Sequence, residues 1–295
     1  MNAAPSCPLC AAASEEAFTV GDRNRGLSRE LFRYLRCTAC HSYFIAAVPA
    51  DLAGFYPTDY YRLPSREDLE LASPMESSKL ELMRPFAASG PLVEIGSGPG
   101  HFAYAAARSG FDVTSIEMDQ RTCEHLRQVV GVEAIQSSEP ERVLPTLPST
   151  RAVVMWHVLE HLPRPWEVLS GIAQLLESGG VLALATPNPD ALQFRLLGRR
   201  WAHVDAPRHL FLIPAAALRE RAAQLGLRMV LVTTSDPAGR YWNTFGWEYA
   251  IRLHPSRRPS THATIALSRM IAAGLSPIER RGTRGAAYTA VFVKD

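Results

Sequence analysis

The sequence runs to 295 residues with a formal net charge of +2 and 47% hydrophobic side chains, enough apolar material for one large domain or two modest ones. So balanced a charge argues against a dedicated nucleic-acid binder, although local basic clusters are compatible with it. No stretch approaches the roughly 20 apolar residues of a membrane span, and the N-terminus lacks the basic-then-apolar order of a signal peptide, so a cytoplasmic location is the expectation.

The chain opens on two C-x-x-C pairs, Cys7 with Cys10 and Cys37 with Cys40. Each pair can set two thiolates on one side of a tight turn, and two such knuckles brought together complete a tetrahedral zinc site. Disulfides are disfavoured in a cytosolic chain, and a redox role would need one pair set in a thioredoxin-like βαβ unit, which is absent from the pattern. Four thiolates leave no open coordination position, so the metal is expected to staple a small ribbon that buries little core of its own. Residues 18–20 and 30–36 are its strand candidates. Cys123, the fifth cysteine, reads as a buried helix residue.

After the ribbon, Phe55, Tyr56, Tyr60 and Tyr61 crowd a short connector. They either pack the ribbon onto the next domain or line a substrate mouth, for which Tyr60 is a candidate. Residues 64–78 are polar and proline-containing and read as a boundary, and residues 79–88 as a helix leading into the next strand.

The apolar run Leu92-Val93-Glu94-Ile95 then breaks into Gly96-Ser97-Gly98-Pro99-Gly100 and resumes as an Ala-rich helix, the pattern of a strand, a tight turn and a helix. Glycines at every second position let the backbone turn sharply and admit a ligand against the first helical amides. Residues 112–117 form a second strand ending in Glu117, placed to accept ribose hydroxyls over the same crevice. A dinucleotide site would want its third glycine where His101 stands. A third strand is expected over 132–136; Met118 beyond the second strand and Ser138 beyond the third lie where an adenine would project.

A fourth strand, residues 151–155, runs straight into Trp156-His157-Val158-Leu159-Glu160-His161. That edge of a parallel sheet is where ligands bind, which makes these side chains candidates for the site. The H-x-x-E-H order also matches an inverted zinc-protease pattern, against which Pro163 and the separate cysteine set weigh. A helix over 165–177 closed by Gly179-Gly180, a fifth strand over 181–185, a helix over 214–226, a sixth strand over 227–234 and a last one over 288–294 complete the order. His209 is singled out as a general base or substrate clamp. Residues 241–276 read as two inserted helices. Between 252 and 284 seven arginines (252, 257, 258, 269, 280, 281, 284) face one acid, Glu279, a balance that would attract a sugar nucleotide, a phosphorylated lipid or a membrane face.

The E-x-G-x-G-x-G run with its strand-ending acid resembles motif I and the partner acid of class I S-adenosylmethionine (SAM) dependent methyltransferases. The segment VVMWHVLEHLPRPWEVL (153–169) is similar to the corresponding stretch of those acting on small molecules. With the cysteines, the Tyr60-Tyr61 region and the His209-Leu210-Phe211 segment included, the chain resembles a bacterial group carrying an N-terminal zinc ribbon, among them C-methyltransferases of deoxysugar biosynthesis. Arg208 stands where some of these carry an acid.

The resemblance implies an α/β fold with a Rossmann-like seven-stranded sheet and one antiparallel strand, preceded by a small four-cysteine zinc ribbon. The expected organisation is ribbon and aromatic connector over 1–63, linker and lead-in helix over 64–90, and the methyltransferase domain over 91–295. It further implies SAM held by Glu94, Gly96, Ser97, Gly98, Gly100, Phe102, Glu117, Met118, Ser138, Trp156 and His157, structural zinc on Cys7, Cys10, Cys37 and Cys40, and catalysis by His161, His209, Glu160 and Tyr60. The acceptor would be a sugar, sugar nucleotide, lipid or other small intermediate, with a peripheral contact to a membrane or anionic lipid. The alternative is an RNA methyltransferase that binds nucleic acid through its ribbon and arginine-rich end.

Overall fold

The computed structural model describes residues 5–57, 59–252 and 262–295. Its strands are β1 (Ser14–Gly21), β2 (Leu31–Cys37), β3 (Tyr43–Ile45), β4 (Gly90–Ile95), β5 (Phe111–Glu117), β6 (Glu133–Gln136), β7 (Thr150–Trp156), β8 (Leu176–Pro187), β9 (Phe211–Leu212), β10 (Leu227–Thr233) and β11 (Ala287–Lys294). The helices are α1 (Arg66–Met83), α2 (His101–Arg108), α3 (Gln120–His125), α4 (Pro140–Val143), α5 (Pro165–Leu175), α6 (Leu192–Leu197), α7 (Ala215–Ala223), α8 (Pro237–Arg252) and α9 (His262–Glu279).

The large sheet has seven strands in the order β10-β11-β8-β7-β4-β5-β6. Strand β11 runs antiparallel to both β8 and β10, while β4 pairs in parallel with β5 and β7. Parallel strands covered on both faces call for continuous apolar runs, and Ala152 to Met155 in β7 and Val181 to Leu184 in β8 are fully buried. The chain leaves β4 toward β5 and β6 on one side and later returns as β7 on the other. The crevice beyond the carboxyl ends of β4 and β7 is therefore the switch point at which such sheets bind ligands. It receives the glycine turn from β4 and Trp156 with His157 from β7.

The cysteine unit forms its own four-stranded sheet, β1-β2-β3-β9, and its last strand comes from the far side of the sequence. Phe44 pairs with Phe211, Tyr43 with Leu212, and the Ile45 amide donates to the Leu210 carbonyl at 2.9 Å. Aromatic rings seal the junction: Tyr43 meets Phe194 edge-on at 5.1 Å, and Phe194 lies 5.2 Å from Trp201. The ribbon's buried side chains and those on one face of the large sheet make one continuous apolar cluster.

Two local expectations are corrected. Helix α1 begins at Arg66, inside the stretch read as a boundary, because Ser65 and Asp68 form a capping box: the Ser65 hydroxyl accepts the Asp68 amide and the Asp68 carboxylate accepts the Ser65 amide, both at 3.1 Å. Pro74 lies inside that helix. Gly179 and Gly180 do not close a helix; α5 ends at Leu175 and both glycines lie within β8, where Leu176 already pairs with Thr150. A Cβ on Gly180 would stand 2.8 Å from the Glu177 carbonyl oxygen, so the glycine permits a kink in the strand.

Candidate active site

In the glycine turn, Gly96, Gly98 and Gly100 have φ of +71°, +48° and +84°. A Cβ on Gly96 would lie 2.5 Å from a Val158 methyl, and one on Gly98 would touch the Tyr61 ring at 3.3 Å. Backbone conformation and close approach thus both demand glycine. Glu117 is bound into the turn: one carboxylate oxygen accepts the Gly98 amide at 2.9 Å, the other the amides of Met118 at 2.8 Å and Asp119 at 3.2 Å. Burial pushes its carboxyl above the usual range, and these amides oppose the push. A carboxylate offers about four acceptor sites and the three amides leave one of them, on the oxygen that accepts Gly98, for a ribose hydroxyl. The Ser137 amide donates to the Glu117 carbonyl at 2.9 Å, setting exposed Ser138 and the 42%-exposed Met118 beside it.

Glu94 and Trp156 stand on neighbouring strands, and each keeps a buried polar atom without a hydrogen-bond partner among the described residues, Oε2 and Nε1 respectively. Burial pushes the Glu94 carboxyl up to about 8. Lys79 of α1 pulls in the opposite sense, and its Nζ lies 5.0 Å from the Trp156 ring, whose other neighbour is Phe102 at 5.1 Å. A glycine-rich turn, an acid at the second strand's tip and two orphaned buried polar atoms fit a cofactor that carries a ribose and charged groups.

The opposite wall follows β7. His157 takes φ +58°, a left-handed conformation for a non-glycine residue, with its amide on the Ala185 carbonyl at 2.9 Å. The next turn points Glu160 into the protein, where Oε2 accepts the Thr186 hydroxyl at 2.9 Å and His157 Nδ1 stands 3.4 Å from Oε1. Burial alone would raise the Glu160 carboxyl, but His157, His161 and His209 outweigh it and hold it at about 2. Burial holds His161 down to about 4, so at neutral pH a carboxylate sits beside an uncharged imidazole.

His161 and His209 meet with ring centroids 4.6 Å apart. Nδ1 of His161 lies 3.0 Å from the Arg208 carbonyl, and Nδ1 of His209 lies 2.8 Å from the His203 carbonyl. A carbonyl only accepts, so each Nδ1 bears the proton and each Nε2 the lone pair. His209 is further held by the ribbon, since the Tyr34 hydroxyl of β2 donates to its carbonyl at 2.6 Å. Arg208 itself is fully buried: Nη2 is 2.7 Å from both Asp22 and Asp205, and Nε is 3.0 Å from Asp205.

The connector tyrosines do cover the crevice, with a change of partner. Tyr56, not Tyr60, reaches the histidines, with its hydroxyl 2.9 Å from His161 Nδ1. Tyr60 packs between Tyr56 and Tyr61 at 5.1 and 4.9 Å, under the Arg25 guanidinium at 4.0 Å. Trp242 of α8 closes the far side, 4.7 Å from the His157 ring and 5.3 Å from His203. Tyr56 lay within the aromatic connector noted in the sequence, but only contacts across the fold distinguish it from its neighbours; His203, Asp205, Lys79 and Trp242 were not singled out.

At the ribbon, Cys7, Cys10, Cys37 and Cys40 bring their sulfurs within 4.8 Å of one another, with no disulfide among them. Cys10 and Cys37 are 3.4 Å apart, and the Ala39 and Cys40 amides point at the Cys37 sulfur at 3.4 and 3.3 Å. Cys123 is buried in α3, as read from the sequence. Arg269, Arg280, Arg281 and Arg284 are exposed, whereas Glu279 is buried and receives Trp247 Nε1 at 3.0 Å. Arg257, Arg258 and the side chain of Arg252 lie outside the described residues. No helix among the described residues is long and apolar enough to cross a membrane.

A switch-point glycine turn under a seven-stranded sheet with one reversed strand defines the class I, SAM-dependent methyltransferase fold. The chain belongs to the methyltransferase-domain family, whose model matches residues 68–232 and leaves the ribbon outside the match. It is similar to the ubiquinone biosynthesis O-methyltransferase of Saccharophagus degradans, 30% identical over 117 residues that cover 37% of this chain and 50% of that protein. The Aeromonas salmonicida protein of the same name is 29% identical over 124 residues, 40% of this chain and 52% of that one. The chain thus spans about half the length of these curated relatives. Among solved structures, a SAM dependent methyltransferase from Archaeoglobus fulgidus shares the fold with a TM-score of 0.52 at 17% identity, over 78% of this chain and 97% of that one. One from Mesorhizobium loti matches with a TM-score of 0.50 at 15% identity, over 77% of this chain and all of that one.

Proposed function

We propose that this protein transfers the methyl group of SAM to a hydroxyl of a small ring-bearing acceptor held between the glycine turn and the histidine pair. The observation that carries the proposal is the pair itself: half-buried His161 and buried His209 in ring contact, each with Nδ1 on a backbone carbonyl, at the same sheet edge as the turn. SAM supplies, when bound, an electrophilic methyl group that needs no acid assistance. The chain's tasks are then alignment, exclusion of water and removal of one proton from the acceptor. Glu117 and the glycine amides would hold the ribose, Met118 and the Ser138 loop the adenine, and Glu94 with Trp156 and His157 the methionine end. Tyr56, Tyr60, Tyr61 and Trp242 give the acceptor space aromatic walls suited to a ring. The O-methyltransferase names of the relatives support oxygen as the accepting atom.

His161→Ala and His209→Ala are the direct test, with turnover followed as release of S-adenosylhomocysteine across a panel of hydroxylated aromatic and sugar acceptors. The variant lacking the true base should lose roughly a hundredfold or more in turnover while SAM affinity is kept. Near-normal turnover in both variants would overturn the assignment.

We also infer that the four ribbon cysteines hold one structural zinc ion, which their spacing, the clustered sulfurs and the amides directed at Cys37 support. Elemental analysis of the purified chain should find one zinc per molecule, and Cys37→Ser should lose it together with several degrees of melting temperature. A metal-free wild type with an unchanged melt would sink the inference.

A further inference from the structure

Glu160, His161 and His209 form a second group of metal-ligating side chains, distinct from the cysteines: one ligand atom from each lies within 4.8 Å of the others. Both imidazoles have the arrangement of metal-bound histidine, in which one ring nitrogen donates to a backbone carbonyl and so fixes the other as the ligand. Here the carbonyls are those of Arg208, 3.0 Å from His161 Nδ1, and of His203, 2.8 Å from His209 Nδ1. Each Nε2 therefore has its lone pair to give.

The carboxylate supplies an independent observation. Glu160 is fully buried, and while Oε2 is satisfied by Thr186, Oε1 has no hydrogen-bond partner among the described residues. His157 Nδ1 stands 3.4 Å from it, within ion-pair distance. A buried carboxylate oxygen without a hydrogen bond is costly unless something cationic meets it. The two segments that carry these ligands are also joined rigidly, by the Leu210 amide on the Glu160 carbonyl at 2.7 Å.

We propose that Glu160, His161 and His209 bind one divalent first-row metal ion, leaving coordination positions open toward the crevice for an acceptor oxygen. Two imidazoles and one carboxylate suit manganese, iron or zinc better than calcium or magnesium, which take mainly oxygen ligands. The role of the ion rests on the methyltransferase reading, whereas its binding does not. An acceptor hydroxyl that ligates the ion becomes more acidic, as metal-bound water does, and its proton passes to solvent water without any change of oxidation state. The histidines would then act on the acceptor through the ion and not as free bases.

The test titrates Mn2+ into the full chain carrying one zinc per molecule by elemental analysis, the four-cysteine site being filled first, and follows it by electron paramagnetic resonance; Mn2+ favours nitrogen and oxygen donors and leaves a four-cysteine zinc site in place. The expected result is one bound Mn2+ per chain, with pulsed spectra showing coupling to imidazole nitrogen. Glu160→Gln and His209→Ala should each weaken binding by at least about tenfold. Absence of bound Mn2+ in the wild type, bound Mn2+ without nitrogen coupling, or equal affinity in the folded variants would each overturn the proposal. Should a variant fail to fold, the wild-type pulsed spectrum decides alone. A parallel calorimetric titration with SAM separates the two claims: Mn2+ bound through imidazole without SAM binding upholds the metal site and fails the methyltransferase reading, and the reverse result does the opposite.

Discussion

Arg208→Met is expected to destabilise the protein by about 3–5 kcal/mol, because it leaves two inward-facing carboxylates without their counterion. The Arg208 side chain is wholly inaccessible, as is that of Asp22, and Asp205 is 14% exposed. Asp22 follows β1 in the ribbon, whereas Asp205 belongs to the segment that carries His209, so the arginine clamps the two units together beside the site. Methionine preserves much of the side chain's length and apolar stem, which isolates the loss of charge from the loss of packing. Denaturant unfolding of the two proteins measures the difference. A midpoint shift equivalent to less than about 0.5 kcal/mol would mean that the triad contributes no more than an ordinary surface pair. Combining Arg208→Met with Asp22→Asn should recover part of the loss, since one stranded charge is then gone.

Glu117→Ala should abolish measurable SAM binding at concentrations that saturate the wild type. A charge-assisted hydrogen bond to a ribose hydroxyl, at about 1.5–3 kcal/mol, corresponds to roughly ten- to a hundredfold in affinity. The same carboxylate accepts the amides of Gly98, Met118 and Asp119, so its removal also loosens the turn that makes the cradle. Glu117→Gln separates the two effects: its one carbonyl oxygen can keep part of the amide contacts, while the charge is lost. The expected order of affinity is wild type, then Gln, then Ala, with melting temperatures verifying that both variants fold. Calorimetric affinities unchanged in Glu117→Ala would refute the ribose assignment.

How much the sequence disclosed depends on the range over which each signal acts. The glycine turn, Glu117, the strand before Trp156 and the last strand are local patterns, and all lie on the large sheet; that one strand is reversed came from the resemblance. The cysteines were legible because paired C-x-x-C spacing is itself a geometric statement. The start of α1 was missed although Ser65 and Asp68 encode it, because the polar residues around them and Pro74 mimic a linker. Tyr56 and the Arg208 triad were indistinguishable from their neighbours for a different reason. Their roles depend on partners brought close only by the fold: Tyr56 with His161, and Asp22 with Arg208. Strand β9, two residues long, has too little pattern to announce itself at all.

That short strand also bears on how the chain folds. The ribbon's sheet closes with the pairing of residue 44 to residue 211, and the Tyr34 hydroxyl waits for the His209 carbonyl. Pairings so distant in sequence must overcome a large loop-closure entropy, and they form late. During synthesis the N-terminal unit emerges first, yet its fourth strand leaves the ribosome only after most of the large sheet has been made. The ribbon, made before the large sheet, is thus completed after most of it, and its exposed β3 edge is a place for misassembly until then.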